Sequence, residues 1–133
     1  MIVDIIITQW ALDSYLNLTA ERVFTQDEYW QKIRPDVLLL KTYPNNIKFK
    51  QSKFWSVASH SGQQIAHGFK MKWHQIGDGK VQLRLPIGIW KEAFLCETYV
   101  KQNAKQEKRW LAKFKTQVEL IEQNNYINCG NLS

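Results

Sequence analysis

Residues 67–101 read HGFKMKWHQIGDGKVQLRLPIGIWKEAFLCETYVK, and the alternation within them decides the fold. Apolar and polar residues take turns through three successive segments, and Gly77-Asp78-Gly79 punctuates the first pair as a tight hairpin turn. Neighbouring strand residues face opposite sides of a sheet, so Phe69, Met71 and Trp73 point one way and Lys70, Lys72 and His74 the other. In the second segment Val81, Leu83, Leu85, Ile87 and Ile89 share a face opposite Gln82 and Arg84. In the third, Phe94, Cys96, Thr98 and Val100 alternate with Leu95, Glu97, Tyr99 and Lys101. The expected product is an antiparallel meander with an apolar face and a polar one, the latter carrying Lys70, Lys72, His74, Arg84, Glu97, Tyr99 and Lys101. Function is sought on that polar face.

Upstream, the β-branched run Ile2 to Thr8 reads as a strand near the middle of the sheet, and Thr8 as the cap of a helix starting around Trp10. Leu12, Tyr15 and Leu16 fall on one side of that helix. Thr25-Gln-Asp-Glu28 has the form of a capping box opening a second helix, with Tyr29, Trp30 and Ile33 directed inward and Pro35 ending or kinking it. Tyr43-Pro-Asn-Asn46 is a break. In residues 47–66, Phe54 to Val57 suits a short edge strand and residues 60–64 a polar loop.

Downstream, Trp110, Leu111, Phe114, Val118 and Ile121 recur at helical spacing. Lys101, Lys105, Lys108, Arg109, Lys113 and Lys115 crowd the early part of this helix, where positive charge opposes the macrodipole and an external anion would offset it. The fold class is therefore α+β: an antiparallel sheet, an N-terminal helical hairpin and a C-terminal helix, helices on one face and the basic face open. Residues 1–123 are expected to form a single domain and residues 124–133 a loose tail.

With 133 residues, 44% apolar, and 6 Trp, 5 Tyr and 6 Phe, the chain has the material for a packed core. Its charge is unevenly placed. Residues 1–47 hold 4 Lys/Arg against 6 Asp/Glu, residues 48–115 hold 14 against 4, and the last 18 hold none against 2. A basic middle on a near-neutral frame points to a polyanionic partner, nucleic acid before a membrane surface. Two cysteines, Cys96 and Cys129, exclude a disulfide scaffold, and Cys96 reads as a buried thiol. The opening residues are too short an apolar run for a signal or membrane segment, so a cytoplasmic protein is expected.

No phosphate-binding glycine loop, Gly-x-Ser-x-Gly, His-Glu-x-x-His or Cys-x-x-Cys occurs, and His60, His67 and His74 lack metal-ligand spacing. The polar face carries more. RNA cleavage by 2′-hydroxyl attack needs a base for that hydroxyl, cations around the phosphorane and a proton donor for the leaving 5′-oxygen. Lys70, Lys72 and Arg84 suit the charge, Tyr99, His74 or Glu97 the protons, and Tyr99 and Trp90 suit stacking on bases. A solvated sheet face accounts equally well for the same residues.

The order strand, helical hairpin, basic meander, basic helix resembles the RelE/ParE superfamily of toxin–antitoxin toxins. The likeness is greatest over residues 93–109, AFLCETYVKQNAKQEKR, which is similar to the HigB branch, where an apolar strand ends in an aromatic-Val-Lys segment before a Lys-rich helix. Residues 44–66 have no counterpart there. The resemblance implies a toxin that enters the ribosomal A site and cuts mRNA without a metal or other cofactor, neutralised by an antitoxin that covers the basic face. It implies that Lys70, Lys72 and Arg84 hold and polarise the phosphate, that Tyr99 is the family's terminal-strand tyrosine, and that Glu97 or His74 assists proton transfer. Trp90, Lys101, Lys105, Lys108 and Arg109 would add nucleic-acid contacts. Two alternatives remain: a ParE-like gyrase inhibitor, and a non-catalytic basic nucleic-acid-binding or interaction module.

Overall fold

The computed structural model describes residues 2–133. Among these, seven strands share one sheet: β1 (Ile5–Thr8), β2 (Trp55–His60), β3 (Gln63–Ile76), β4 (Val81–Ile89), β5 (Ala93–Leu95), β6 (Tyr99–Val100) and β7 (Asn128–Asn131). The helices are α1 (Gln9–Ala20), α2 (Gln26–Glu28), α3 (Arg34–Leu38) and α4 (Ala104–Glu122). The class is α+β. The strand order is β2-β3-β4-β5-β1-β7, with β6 paired to β4 beside β5. All pairs are antiparallel except β1 and β5, which run parallel, so the sheet is mixed.

The hairpin between β3 and β4 turns where the glycines stand. Gly77, Asp78 and Gly79 all have φ near +60° to +79°, and a Cβ at position 77 would meet Val81 Cγ2 at 2.9 Å. The expected loop at residues 60–64 is tighter than a loop: His60 pairs with Gln63, and Ser61 and Gly62, with φ of 53° and 78°, make a two-residue hairpin between β2 and β3. Residues 44–54 are anchored by aromatic packing. Phe49 stands edge-on to Trp55 at 4.9 Å and to Tyr43 at 5.0 Å, and Trp55 stacks on Phe69 at 5.3 Å.

Local chemistry sets the helix ends. Thr8 caps α1, accepting from the Ala11 amide while its hydroxyl donates to the Leu95 carbonyl at 2.6 Å. Thr25 and Glu28 form the reciprocal capping box, both bonds at 3.0 Å. Ahead of Pro35 the helix widens into a π-turn at Tyr29–Ile33, in which the Arg34 amide reaches back to the Tyr29 carbonyl. A proline without an N–H cannot continue the normal ladder, and the wider turn accommodates it. Leu16 and Trp30, expected inward, are 54% and 58% exposed; Ala11, Ser14 and Leu18 form the buried stripe of α1 instead.

The sheet is covered on both faces, which corrects the expectation of one open face. Ile5, Met71, Trp73, Leu83, Leu85, Ile87 and Leu95 meet Ala11, Leu18, Ile33, Val37 and Leu40 from the N-terminal helices. On the reverse, Ile6, Ala58, Ile65, Phe94 and Cys96 meet Leu111, Phe114, Val118 and Ile121 of α4. Burying a large apolar side chain is worth about 1.5–3 kcal/mol, so the α4 stripe cannot stay in water.

The third segment is two strands, not one. It breaks at residues 96–98, where the Cys96 amide bonds the Pro86 carbonyl and the Thr98 amide bonds Ser14 Oγ. The break slips the alternation by one residue. Phe94 and Cys96 therefore face α4, Leu95 faces the N-terminal helices, and Tyr99 joins the α4 side. The last residues, expected to hang loose, supply β7, whose Asn131 and Asn128 pair with Ile6 and Thr8 and so place β1 between two neighbours.

Candidate functional site

A row of polar side chains crosses three strands on the α4 side of the sheet. Lys72 on β3 stands opposite Arg84 on β4, and Arg84 stands opposite Tyr99 on β6. Directly opposed residues have Cβ atoms about 5 Å apart, and like charges so placed repel. Lys70 lies one alternation along β3 on the same face. The carboxylate that gathers this row comes from α4: Glu107 Oε2 accepts from the Tyr99 hydroxyl at 2.7 Å and from Lys70 Nζ at 3.3 Å, and Lys101 Nζ lies 3.8 Å from Oε1.

Asn103 caps α4 by accepting from the Gln106 amide at 2.8 Å, which fixes the rotation that turns Glu107 inward. Burial disfavours ionisation of Glu107, but the Tyr99 hydroxyl and the Lys70 and Lys101 ammonium groups outweigh it and hold the carboxyl below its usual range. Tyr99, 1% exposed, has its phenol pushed far up by burial and by the proton it gives to Glu107. Its ring lies parallel to Trp110 at 5.4 Å.

Arg84 is 3% exposed. Its Nη1 donates to the Leu83 carbonyl at 3.1 Å and the Trp73 carbonyl at 3.4 Å, and Nη2 donates to Gln82 Oε1 at 3.1 Å. Its buried Nε–H finds no partner among the described residues, and no carboxylate there lies within ion-pairing distance. Burial pushes its pKa down, against the pull of Glu107. Lys72, which donates to the Ser52 carbonyl at 2.7 Å, is also pushed down, by burial and then by the neighbouring Lys70 and Arg84 charges. Of the four cations gathered here, Lys70 and Lys101 pair with the one carboxylate, and Lys72 and Arg84 do not.

The residues expected to act together are only partly assembled. Lys70, Lys72, Arg84, Tyr99 and Lys101 converge; His74, Glu97 and Trp90 stand elsewhere. His74 is exposed and bonds the Lys53 carbonyl at 2.6 Å. It borders a cavity of about 430 Å³ with Lys32, Lys53 and Lys72, in which Lys48 and the Trp73 indole hold Asp36 at 2.8 and 2.9 Å. Glu97 is engaged by Lys113 at 3.1 Å and by the Gln117 amide at 3.2 Å. Trp90 lies past the other end of β4, stacked on His67 at 4.6 Å and edge-on to Phe94 at 5.4 Å. Lys105, Lys108 and Arg109 are exposed along the first turns of α4 and extend the positive surface.

Burial removes two expected roles. The Tyr99 ring is covered by Trp110, so stacking on a base is closed to it, and its hydroxyl is committed to Glu107. Sequence reasoning missed Glu107, although a signal was present: residues 107, 111, 114, 118 and 121 share the buried stripe of α4, and an acid on an apolar stripe requires a partner. Cys96 is buried as expected, its thiol pushed up by that burial.

Among the described residues no group of three His, Cys, Asp or Glu side chains is placed to hold a metal ion, and no helix is long and apolar enough to cross a membrane. Comparison with protein-family models, curated proteins and solved structures finds no match to this chain.

Proposed function

We propose that this chain is an RNA-binding toxin of the RelE/HigB kind, an endoribonuclease that cuts mRNA on the ribosome and is neutralised by an antitoxin. The observation that carries this reading is the excess of charge at one spot: Lys70 and Lys101 on Glu107, Lys72 opposite Arg84 on the neighbouring strand, and Lys105, Lys108 and Arg109 exposed on the first turns of α4. Holding unbalanced cations together costs stability, and a phosphodiester offsets that cost. The order of elements is compatible with it: a strand, helices, a basic meander whose strand β5 lies beside β1, and a basic helix.

In this reading Lys70 and Lys101 hold the scissile phosphate, and the field of Arg84 stabilises charge on the phosphorane. Lys72, pushed below the usual lysine range, exchanges the proton as the 2′-hydroxyl attacks phosphorus and the 5′-oxygen leaves. Glu107 positions Lys70 and Lys101.

A second reading is favoured by the burial of Arg84 and the mutual bond of Tyr99 and Glu107: a module that binds RNA through the same lysines without cutting it. One experiment separates them. Expression is induced in a bacterial host, growth is followed and mRNA ends are mapped, for wild type and for Lys72→Ala with Lys101→Ala. Growth arrest with new cleavages inside translated frames, both lost in the double variant, is the expected result. Arrest without cleavage moves the reading to a gyrase inhibitor. Soluble, harmless wild type that retains RNA, with strong salt dependence and no products, leaves the binding module.

A further inference from the structure

A cavity of about 320 Å³ lies on the N-terminal-helix side of the sheet, away from the lysine cluster, between α1 and the helical turns around Pro35. It reaches into the main core: Leu85 and Leu95 line it from the sheet, Ala11 and Val37 from the helices, and all four are buried. Protein interiors hold few voids larger than a water molecule, and apolar side chains around one forfeit the contacts a filling group would make. Apolar cavities take up apolar molecules more readily than water, and this one falls at the lower end of small-ligand sites. The chemistry changes toward solvent. Tyr29, Trp30 and Ile33 of the π-turn line the cavity, as does Arg34 after them, and such turns are frequent at functional sites. Trp30, 58% exposed, marks the opening. The Arg34 guanidinium stands over the Trp30 ring at 5.0 Å, and its Nη2 donates to the Ser133 carbonyl, next to the cavity residue Leu132. Its charge offsets part of the rise that burial and Tyr15 impose on the Tyr29 phenol. These neighbours place a cation at the cavity rim. No described carboxylate lies within ion-pairing distance of it.

We propose that this cavity binds a small amphipathic carboxylate, its apolar chain inside and its head group on Arg34. The inference stands apart from the RNA reading, since it concerns the opposite face of the sheet. Each part of the ligand meets its complement. The chain leaves water and gives the buried lining the contacts it lacks. The carboxylate accepts charge-assisted bonds from the guanidinium, whose fork of N–H donors matches it better than a neutral carbonyl such as that of Ser133 does. A neutral molecule of the same shape fills the cavity but leaves Arg34 with neutral acceptors only. A cationic one is repelled at the rim.

The test is calorimetric titration of the full chain with octanoate, octanol and octylammonium, which share a chain and differ in charge. Wild type should bind one octanoate per chain, about tenfold more tightly than octanol, the worth of one hydrogen bond to a charged group, and octylammonium more weakly than either. Arg34→Met should erase the preference for octanoate and leave octanol binding unchanged. Ala11→Leu, which fills the cavity from α1, should abolish binding of both, and Val37→Phe fills it from α3 if the leucine variant does not fold. Equal binding of octanoate and octanol by wild type overturns the carboxylate assignment. Absence of octanoate binding overturns the site, and so does octanoate binding that survives the filling of the cavity.

Discussion

The Tyr99 hydroxyl donates a 2.7 Å hydrogen bond to the Glu107 carboxylate, joining the last strand of the meander to the first turn of the helix that covers it. Both side chains are almost out of water, so the bond is charge-assisted and unscreened. Tyr99→Phe removes the donor and leaves the ring stacked on Trp110. It should cost about 1.5–3 kcal/mol, the range for a hydrogen bond to a charged group, read as a lower urea midpoint at unchanged m. Phosphate-backbone affinity should change little, because the hydroxyl faces Glu107. A large loss of RNA binding at unchanged stability would instead make Tyr99 a ligand-contacting group.

Arg84 presents the opposite case, a buried charge whose guanidinium contacts carbonyls and an amide oxygen and leaves Nε unpaired. Replacing a poorly compensated buried ion by an apolar side chain of similar volume is often neutral or stabilising by about 1–4 kcal/mol. Arg84→Met should therefore melt no lower than wild type while binding RNA less tightly. Thermal unfolding paired with anisotropy decides it: a falling Tm would mean that Arg84 is a structural anchor and not a charge kept for a ligand.

What the sequence disclosed and what it hid follow from the range of each signal. The β3–β4 pairing, the Thr8 cap, the Thr25–Glu28 box and the stripe of α4 were legible because each rests on residues within a few positions of one another. The break at residues 96–98 was not, because a slip of one residue leaves an alternating pattern that reads equally well in either phase. That slip reversed Phe94 and Leu95. Periodicity also shows that α4 has an apolar face without saying which face of the sheet receives it, and this hid the covering of Tyr99 and Arg84. The charge excess of residues 48–115 pointed to the lysine cluster; the acid at its centre required noticing Glu107 on the buried stripe.

Acid should weaken the same junction. Glu107 has a folded-state pKa below its unfolded value of about 4.3, so between the two values the unfolded chain binds more protons and stability rises with pH. Its contribution is complete above the unfolded pKa and is lost as pH falls through the folded one. Urea midpoints measured from about pH 6 to pH 3 should decline, and Glu107→Gln should flatten the acid end of that curve. Parallel curves for the two proteins would remove Glu107 from the cause.

At the far end of β4, Gly88 makes room for Trp90. A Cβ at position 88 would stand 2.6 Å from Trp90 Cζ3, so the indole lies directly on the glycine backbone. The indole also stacks on His67 at 4.6 Å, whose Nδ1 lies 3.0 Å from the Ile89 carbonyl. Gly88→Ala must push Trp90 off this seat and out of its edge contact with Phe94, beneath α4. Overpacking of this kind costs about 1–3 kcal/mol. Trp90→Leu in the same chain relieves the clash, so the double variant should recover part of the loss that Gly88→Ala alone produces. That non-additivity is the measurement to make, by chemical denaturation of the two single variants and the pair. Additive losses would mean that the alanine acts on the strand itself and not through Trp90.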